Sequence, residues 1–209
     1  MVIAVVLFLL TLFVFVTITD EIVLEHENGF DSSIANAILS FESPLATKIF
    51  ETITFFGSSS FLFPAYSILI VYYLFKRNWK LALDVAAIGI TSTALLYLLK
   101  NIFQRHRPLD PLIRNVTGFS FPSGHSFSSF TFFGMIAYLI WQTQIKSGWK
   151  IFATVILFSL ATAIAFSRVY LRVHYPSDVV AGFCLSMIWL MISIWALHNF
   201  DKKVHNPAG

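Results

Sequence analysis

Residues 179–199 read VVAGFCLSMIWLMISIWALHN, and this run of 21 residues without Asp, Glu, Lys or Arg decides the fold class. An α-helix of about 20 apolar residues spans the ~30 Å hydrocarbon core of a bilayer. Five similar runs precede it in the sequence. Together the six runs predict membrane-spanning helices near residues 2–19, 56–75, 81–99, 126–144, 151–167 and 179–199. We therefore expect an all-α integral membrane protein built as a bundle of six transmembrane helices.

The composition argues against a soluble protein. Hydrophobic residues make up 57% of the 209 residues and charged residues only 12%, whereas soluble domains carry about 25% charged residues. Barrel strands would show short alternating segments, which these runs lack. No internal repeat or low-complexity stretch divides the chain, so we expect a single membrane-embedded domain over residues 1–209. The first run could be a cleaved signal peptide, but it lacks a basic n-region and a clear cleavage site, which favours a retained helix.

The segment between the first two runs, residues 20–51, holds seven of the eleven acidic residues. Apolar side chains nevertheless recur in it at helical spacing, at Ile34, Ile38, Phe41, Leu45 and Ile49. This pattern predicts one or two short amphipathic helices lying on the membrane surface. Asp31-Ser32-Ser33 is a candidate helix cap, and Ser43-Pro44 a candidate helix start. These helices could form a structural cover over the bundle or shape a lateral path for a lipid.

The distribution of basic residues bears on orientation. With six spans, both termini and residues 76–80 and 143–150 lie on one side, which carries seven of the 14 Lys and Arg residues. The other side also carries seven, but three of them belong to the candidate site described below. Without these three, the side of the termini carries seven basic residues and the other side four. By the positive-inside rule this difference favours a cytoplasmic N-terminus. The sequence thus predicts a multi-pass protein of the cell membrane whose site faces the extracellular side; the family resemblance given below implies a bacterial cytoplasmic membrane.

Three cations lie in the gaps between the apolar runs, in blocks with other reactive groups. Lys100 and Arg107-Pro108 follow the third run, and Arg168 follows the fifth. Cations at a membrane boundary often extend to the lipid headgroups, and Lys100 alone fits that explanation. Two guanidinium groups in reactive blocks instead favour the binding of a phosphoryl group, whose oxygens they match in geometry and charge.

The tetrapeptide Pro122-Ser123-Gly124-His125 stands directly before the fourth run. Ser123 can cap the helix that follows, and Gly124 lets backbone N–H groups approach an anion at the positive helix end. A simple turn and cap would explain the first three residues. It would not explain an ionisable ring at His125.

The third block combines a histidine with a carboxylate. His174 and Asp178 are four residues apart, which is one turn of a helix, and Pro176 suits the start of that helix. A carboxylate at this spacing can fix the tautomer of the histidine and increase its nucleophilicity. A metal site is the alternative, but no compact set of three or four His, Cys or carboxylate ligands occurs at usable spacing. We therefore expect no metal and no other cofactor.

In this order, the motifs Lys-x6-Arg-Pro, Pro-Ser-Gly-His and Ser-Arg-x5-His-x3-Asp resemble the signature of the type 2 phosphatidic acid phosphatase family. They cover residues 100–108, 122–125 and 167–178 with no departure at any signature position. The resemblance implies that His174 attacks phosphorus and forms a phosphohistidine, that Asp178 orients it, and that His125 serves as acid and then base. It also implies that the phosphoryl oxygens are held by Lys100, Arg107, Ser123, Gly124 and Arg168.

Four further residues lie near these motifs but outside them. They are Arg105, His106, Arg114 and Arg172. Each could contact a substrate headgroup or a second phosphate, or extend to the membrane surface.

The resemblance implies a metal-independent hydrolase that acts on a lipid phosphate monoester, with phosphatidylglycerophosphate as the expected substrate. Undecaprenyl diphosphate is the alternative, because it also presents a terminal phosphoryl group on a lipid. A non-catalytic lipid-binding or transport protein would need the cations but neither histidine, and a haloperoxidase branch would not need membrane spans. We expect membrane lipids and water as the other partners, with no nucleic acid and no obligatory protein partner.

Overall fold

The apolar runs form α-helices in the computed structural model, which describes residues 2–20, 29–114 and 116–205. No β-strand occurs in these ranges. The helices are α1 (Val2–Thr17), α2 (Gly29–Leu39), α3 (Pro44–Phe55), α4 (Ser59–Phe75), α5 (Trp79–Phe103), α6 (Gly124–Trp141), α7 (Ser147–Tyr170) and α8 (Pro176–His205). The prediction of an all-α protein is confirmed. The C-terminal residues 206–209 and the segment 21–28 lie outside the described residues, as do Met1 and Asn115.

Four segments within the described ranges are long and apolar enough to cross a membrane. They are Pro44–Phe75, Trp79–Phe103, Ser147–Tyr170 and Pro176–Asn199. The first combines α3 and α4, which are separated only by the short turn around Gly57. A shorter apolar helical segment runs from Val5 to Asp20. The count of six spans stays a prediction.

Helix α6, which covers most of the predicted span 126–144, is not among these four apolar segments. Its first half contains His125 and the polar side chains Ser126, Ser128, Ser129 and Thr131. This helix lies in the middle of the bundle and packs mainly against α7 and α8, with smaller contacts to α4 and α5. Ten of its 18 residues are buried. Its polar half therefore faces protein rather than lipid, which is where polar groups in a membrane helix are tolerated.

The predicted surface helices are α2 and α3. Ser43 caps α3 as predicted, because its hydroxyl accepts a hydrogen bond from the backbone N–H of Ala46, and Pro44 is the first helical residue. The prediction that Asp31 caps a helix is wrong, since Asp31 lies inside the first turn of α2. Its carboxylate is buried and accepts hydrogen bonds from residues of distant elements. Helix α2 is therefore attached to the bundle by a buried charged group as well as by its apolar face.

Candidate active site

The end of α5 and the loop after it supply two cations. Helix α5 ends at Phe103, and Gln104 follows in the left-handed conformation with φ 47°. One turn earlier, the ammonium of Lys100 donates to the carbonyl oxygen of Phe119 at 2.6 Å. The carbonyl of Ser120 lies 3.4 Å from the same nitrogen. Lys100 thus joins its helix to the segment that leads into α6, with its ammonium beside the tetrapeptide.

Arg107 links the first and third motifs. Its guanidinium donates to the carbonyl oxygens of Thr117, Gly118 and Val173 at 2.7–3.1 Å. Its Nη1 also lies 3.2 Å from Nε2 of His174. These carbonyls orient the guanidinium, so that one edge of it points to the candidate nucleophile.

The tetrapeptide forms the start of α6. Ser123 is the N-cap, and its hydroxyl lies 3.4 Å from the backbone N–H of Ser126. The backbone N–H of Ser123 donates to the carbonyl oxygen of Asp178 at 3.0 Å, so the second motif contacts the third directly. This close approach depends on Gly182 in α8, where an added Cβ would lie only 2.8 Å from the Ser123 carbonyl oxygen. The start of α6 points its free N–H groups at the site, which favours an anion there.

His174 and Asp178 form a buried pair, as their spacing predicted. The Nδ1 of His174 lies 3.3 Å from Oδ2 of Asp178, and the same oxygen accepts a hydrogen bond of 2.9 Å from the backbone N–H of Tyr175. Because a guanidinium can only donate, the neighbouring Arg107 makes Nε2 the acceptor and leaves the hydrogen on Nδ1. The lone pair on Nε2 is therefore directed to the place where Arg107 would hold a phosphoryl group.

Burial keeps the His174 ring neutral. His174 lies in the connection between α7 and α8, and its burial lowers its pKa to about 4, although Asp178 opposes this shift. The nearby cations Arg107 and Lys100 act in the same direction as burial. A neutral imidazole has the free lone pair that nucleophilic attack requires.

Arg168 is the third cation and is only 5% exposed. Its Nη1 donates to Oγ1 of Thr54 in α3 at 2.7 Å, and its carbonyl oxygen accepts from the backbone N–H groups of Val173 and His174. Its Nε is buried and has no hydrogen-bond partner among the described residues. Arg168 thus supports the loop that carries His174 and retains a donor for a further acceptor.

His125 lines a large groove. The groove has a volume of about 710 Å³ and is lined by α4, α5 and the first residues of α6. Most of its lining is apolar, with Leu62, Phe63, Ile70, Val85, Ile90 and Leu96 among its residues. Gly124 and His125 also line it, and an added Cβ at Gly57 would lie 3.2 Å from the His125 ring. The groove therefore connects the apolar flank of α4 and α5 with the candidate acid–base group.

The four residues outside the motifs have different surroundings. Arg114 and His106 are exposed. Arg172 forms an ion pair with Glu42. Arg105 donates to two buried carboxylates, those of Asp31 and Asp178, at 2.7 Å each. The prediction that Arg105 contacts a headgroup is not supported by this geometry, because its guanidinium is engaged inside the protein.

Sequence reasoning missed several residues of this site. Thr54 and Asp31 come from α3 and α2, and Gly57 and Gly182 allow close approach around the tetrapeptide. The sequence signal for the two glycines is weak, since a single glycine in an apolar run has many explanations.

In the part of the chain that the structure describes, no group of three His, Cys, Asp or Glu residues could hold a metal ion.

Comparisons with known proteins agree with the family resemblance. The sequence model of the PAP2 superfamily matches residues 78–202, a range that contains all three motifs. Phosphatidylglycerophosphatase B of Bacillus subtilis (strain 168) is 32% identical over 177 residues, which are 83% of this chain and 84% of that protein. Dolichyldiphosphatase 1 of Dictyostelium discoideum is 31% identical over 145 residues, which are 65% of this chain and 63% of that protein.

The fold is similar to that of a solved structure. The crystal structure of a transmembrane PAP2-type phosphatidylglycerolphosphate phosphatase from Bacillus subtilis superposes with a TM-score of 0.78 and 31% sequence identity. The superposition covers 98% of both chains. The similarity therefore extends over α2 and α3 as well as over the helices that carry the motifs.

Proposed function

Because the chain belongs to the PAP2 superfamily, we propose that it hydrolyses a lipid phosphate through a phosphohistidine intermediate. Its long apolar helices and its similarity to the membrane phosphatase of Bacillus subtilis make it an integral membrane protein. The observation that carries the proposal is the placement of His174 between Asp178 and Arg107. One ring nitrogen faces a carboxylate, and the other carries no hydrogen and accepts from the guanidinium of Arg107.

In the first step, Nε2 of His174 forms a bond to phosphorus while the bond from phosphorus to the lipid oxygen breaks. Asp178 stabilises the positive charge that develops on the imidazole ring. The cations Lys100, Arg107 and Arg168, with the N–H groups at the start of α6, stabilise the negative charge on the phosphoryl oxygens. His125 gives a proton to the lipid oxygen, which leaves as an alcohol or, from a diphosphate, as a monophosphate.

In the second step, water attacks phosphorus and the phosphorus–nitrogen bond breaks. His125 takes a proton from this water, which returns it to its starting state. Inorganic phosphate leaves, and His174 is again neutral. The overall reaction consumes one water and needs no cofactor.

The groove between α4 and α5 supports a lipid as the substrate. Its apolar lining can bury a hydrocarbon chain, and its lining also includes Gly124 and His125 of the tetrapeptide that we propose to meet the phosphate. We propose phosphatidylglycerophosphate as the substrate, because the Bacillus subtilis relatives are named for that activity. Undecaprenyl diphosphate is the second candidate, supported by the similarity to a dolichyldiphosphatase.

The proposal predicts phosphate release by the purified protein in detergent that contains EDTA. Chelation is expected to leave the rate unchanged, because Lys100, Arg107 and Arg168 supply the positive charge that a metal ion would otherwise provide. The assay compares phosphatidylglycerophosphate, phosphatidic acid and undecaprenyl diphosphate by their kcat/KM values. A rate that disappears with EDTA and returns with Mg²⁺ would contradict the metal-independent mechanism. Equal or higher kcat/KM for undecaprenyl diphosphate would replace phosphatidylglycerophosphate as the substrate.

We further propose that the site faces the extracellular side of the membrane. Leu109 is 86% exposed in the loop between α5 and α6, and Gln144 is exposed in the turn between α6 and α7. In a Cys184→Ser background, the Leu109→Cys variant is expected to react with a membrane-impermeant maleimide in intact cells. The matched Gln144→Cys variant is expected to react only after permeabilisation. The opposite labelling pattern would place the site on the cytoplasmic side.

A further inference from the structure

Asp178 contacts a charged side chain, that of Arg105, in addition to the neutral ring of His174. Its Oδ1 accepts a hydrogen bond of 2.7 Å from Nη1 of Arg105, while its Oδ2 faces His174 and the backbone N–H of Tyr175. Asp178 is fully buried. Arg105 therefore fixes the rotation of the carboxylate and, through it, determines which oxygen meets the histidine.

Arg105 is itself held by a second buried carboxylate. Its Nη2 donates to Oδ2 of Asp31 at 2.7 Å, and the side chain of Asp31 is only 3% exposed. Asp31 also accepts from the backbone N–H and from the hydroxyl of Ser177, at 2.8 and 2.7 Å. The Ser177 hydroxyl in turn lies 2.8 Å from Nη1 of Arg105. The two carboxylates, the guanidinium and the serine form a closed network.

The surroundings of the guanidinium reinforce this arrangement. Its Cζ lies 4.1 Å from the centre of the Tyr175 ring, a cation–π distance. The pKa of Arg105 is raised, because the pull of Asp178 and Asp31 on its charge outweighs the effect of burial. A planar guanidinium can serve two carboxylates at once, which an ammonium group cannot do with the same geometry.

We infer that Arg105 and Asp31 are positioning residues that hold Asp178 in the orientation that His174 requires. The inference rests on the proposed function, because it assigns these residues to the same reaction. Two carboxylates and one guanidinium give the network a net charge of −1 beside His174. This charge favours the positively charged ring that forms when Nε2 attacks phosphorus. Because Asp31 belongs to α2, the docking of this surface helix becomes part of the catalytic arrangement.

The network also predicts what happens when one member is lost. Without Arg105, the carboxylates of Asp31 and Asp178 would remain close together and buried, so that one of them would take up a proton. A protonated Asp178 would no longer stabilise a charged His174. In Asp31→Asn, the amide oxygen can still accept from the backbone N–H of Ser177. The amide nitrogen that replaces the other carboxylate oxygen is a donor, so it cannot accept a hydrogen bond from Arg105. The guanidinium would then lose one of its two anchors.

The test compares Arg105→Met, Arg105→Lys, Asp31→Asn and the double variant Arg105→Met/Asp31→Asn by steady-state kinetics. Loss of a residue that orients a catalytic group typically costs roughly 10- to 100-fold in activity. We expect such a fall in kcat with unchanged KM, by the same factor for a long-chain lipid phosphate and for para-nitrophenyl phosphate. We expect Arg105→Lys to recover part of the loss. The double variant is expected to be no worse than Arg105→Met, because both changes break one network. Glu51→Gln and Arg77→Met change exposed charges elsewhere and serve as matched controls.

Several results would overturn the inference. A rise in KM with unchanged kcat, or an effect limited to one headgroup, would show that Arg105 contacts the substrate instead. Additive losses in the double variant would show two independent sites, and full activity would show no role. If the wild type releases no phosphate from any substrate, the proposed function fails, and the network is then tested by proton NMR. The downfield Nδ1–H signal of His174 is expected in the wild type and is expected to shift in Asp31→Asn. An unchanged signal would overturn the inference without reference to activity.

Discussion

Replacing His174 with alanine is expected to lower kcat for a lipid phosphate by on the order of 10⁴-fold or more. The imidazole is the proposed nucleophile, and no neighbouring side chain can take over a buried ring nitrogen that lies 3.2 Å from Arg107. Binding is expected to persist, since the cations remain. The measurement is phosphate release under single-turnover and steady-state conditions, together with acid-labile ³²P on the protein after a quench. Wild-type protein should carry the label, and His174→Ala should not.

The control for this prediction is His198→Ala. His198 is in the same helix as Asp178 and follows it by 20 residues, or about 30 Å at 1.5 Å per residue. Its replacement is expected to leave the rate unchanged. Phosphate release that survives in His174→Ala would refute a phosphohistidine at this position.

The pH dependence of the hydrolysis rate also tests the role of His174. Because burial lowers the pKa of His174 to about 4, the ring stays neutral and nucleophilic well below the ordinary histidine value of 6.5. Acidification from pH 7 to pH 5 should therefore not remove activity by protonating His174. An ordinary, exposed histidine would lose most of its neutral form over that range.

The second large effect is expected from blocking the groove. Thr93 lines the groove on α5, and replacing it with tryptophan would fill part of the space available to a hydrocarbon chain. Displacing about four methylene groups at ~0.8 kcal/mol each corresponds to roughly a 100-fold fall in kcat/KM for a long-chain lipid. A short, water-soluble substrate such as para-nitrophenyl phosphate does not need the groove, so its kcat/KM is expected to stay the same. The measurement is the ratio of the two kcat/KM values.

Thr91→Trp is the matched control for this substitution. Thr91 is also an exposed threonine of α5, and its hydroxyl also donates to the carbonyl four residues earlier, but it does not line the groove. Equal losses for both substrates in Thr93→Trp would indicate a general defect in folding. Equal losses for the lipid in both variants would show that the groove does not bind the hydrocarbon chain.

Local patterns in the sequence predicted the parts of the molecule that depend on local physics. Runs of apolar residues predicted the long helices, because a helix satisfies its own backbone in a bilayer. Ser43-Pro44 predicted the start of α3, and the four-residue spacing of His174 and Asp178 predicted their contact, although His174 lies just before the helix that contains Asp178. These features need only residues that are close together in the chain.

Contacts between distant residues were not predictable in the same way. Arg105 and Asp31 are 74 residues apart, and Arg168 and Thr54 are 114 residues apart. Asp31 stands in an acidic segment, so its sequence context indicates a solvated surface, and only the docking of α2 brings it to Arg105. Without an observed partner, a basic residue near a membrane boundary is best explained as a headgroup contact, which the geometry of Arg105 does not support.

The polar first half of α6 has a consequence for how the protein is made. A segment with this many hydroxyl groups and a histidine inserts into a bilayer less favourably than its neighbours, because lipid offers those groups no partners. The helices that cover it most, α7 and α8, follow it in the chain and leave the ribosome later. Insertion and assembly are therefore separate events for this helix. Its polar half is buried only after α7 and α8 have been inserted and have packed against it. Asp178 belongs to α8, which follows α6 and α7 in the chain, so the candidate site can form only after α8 has been synthesised and has packed against α6.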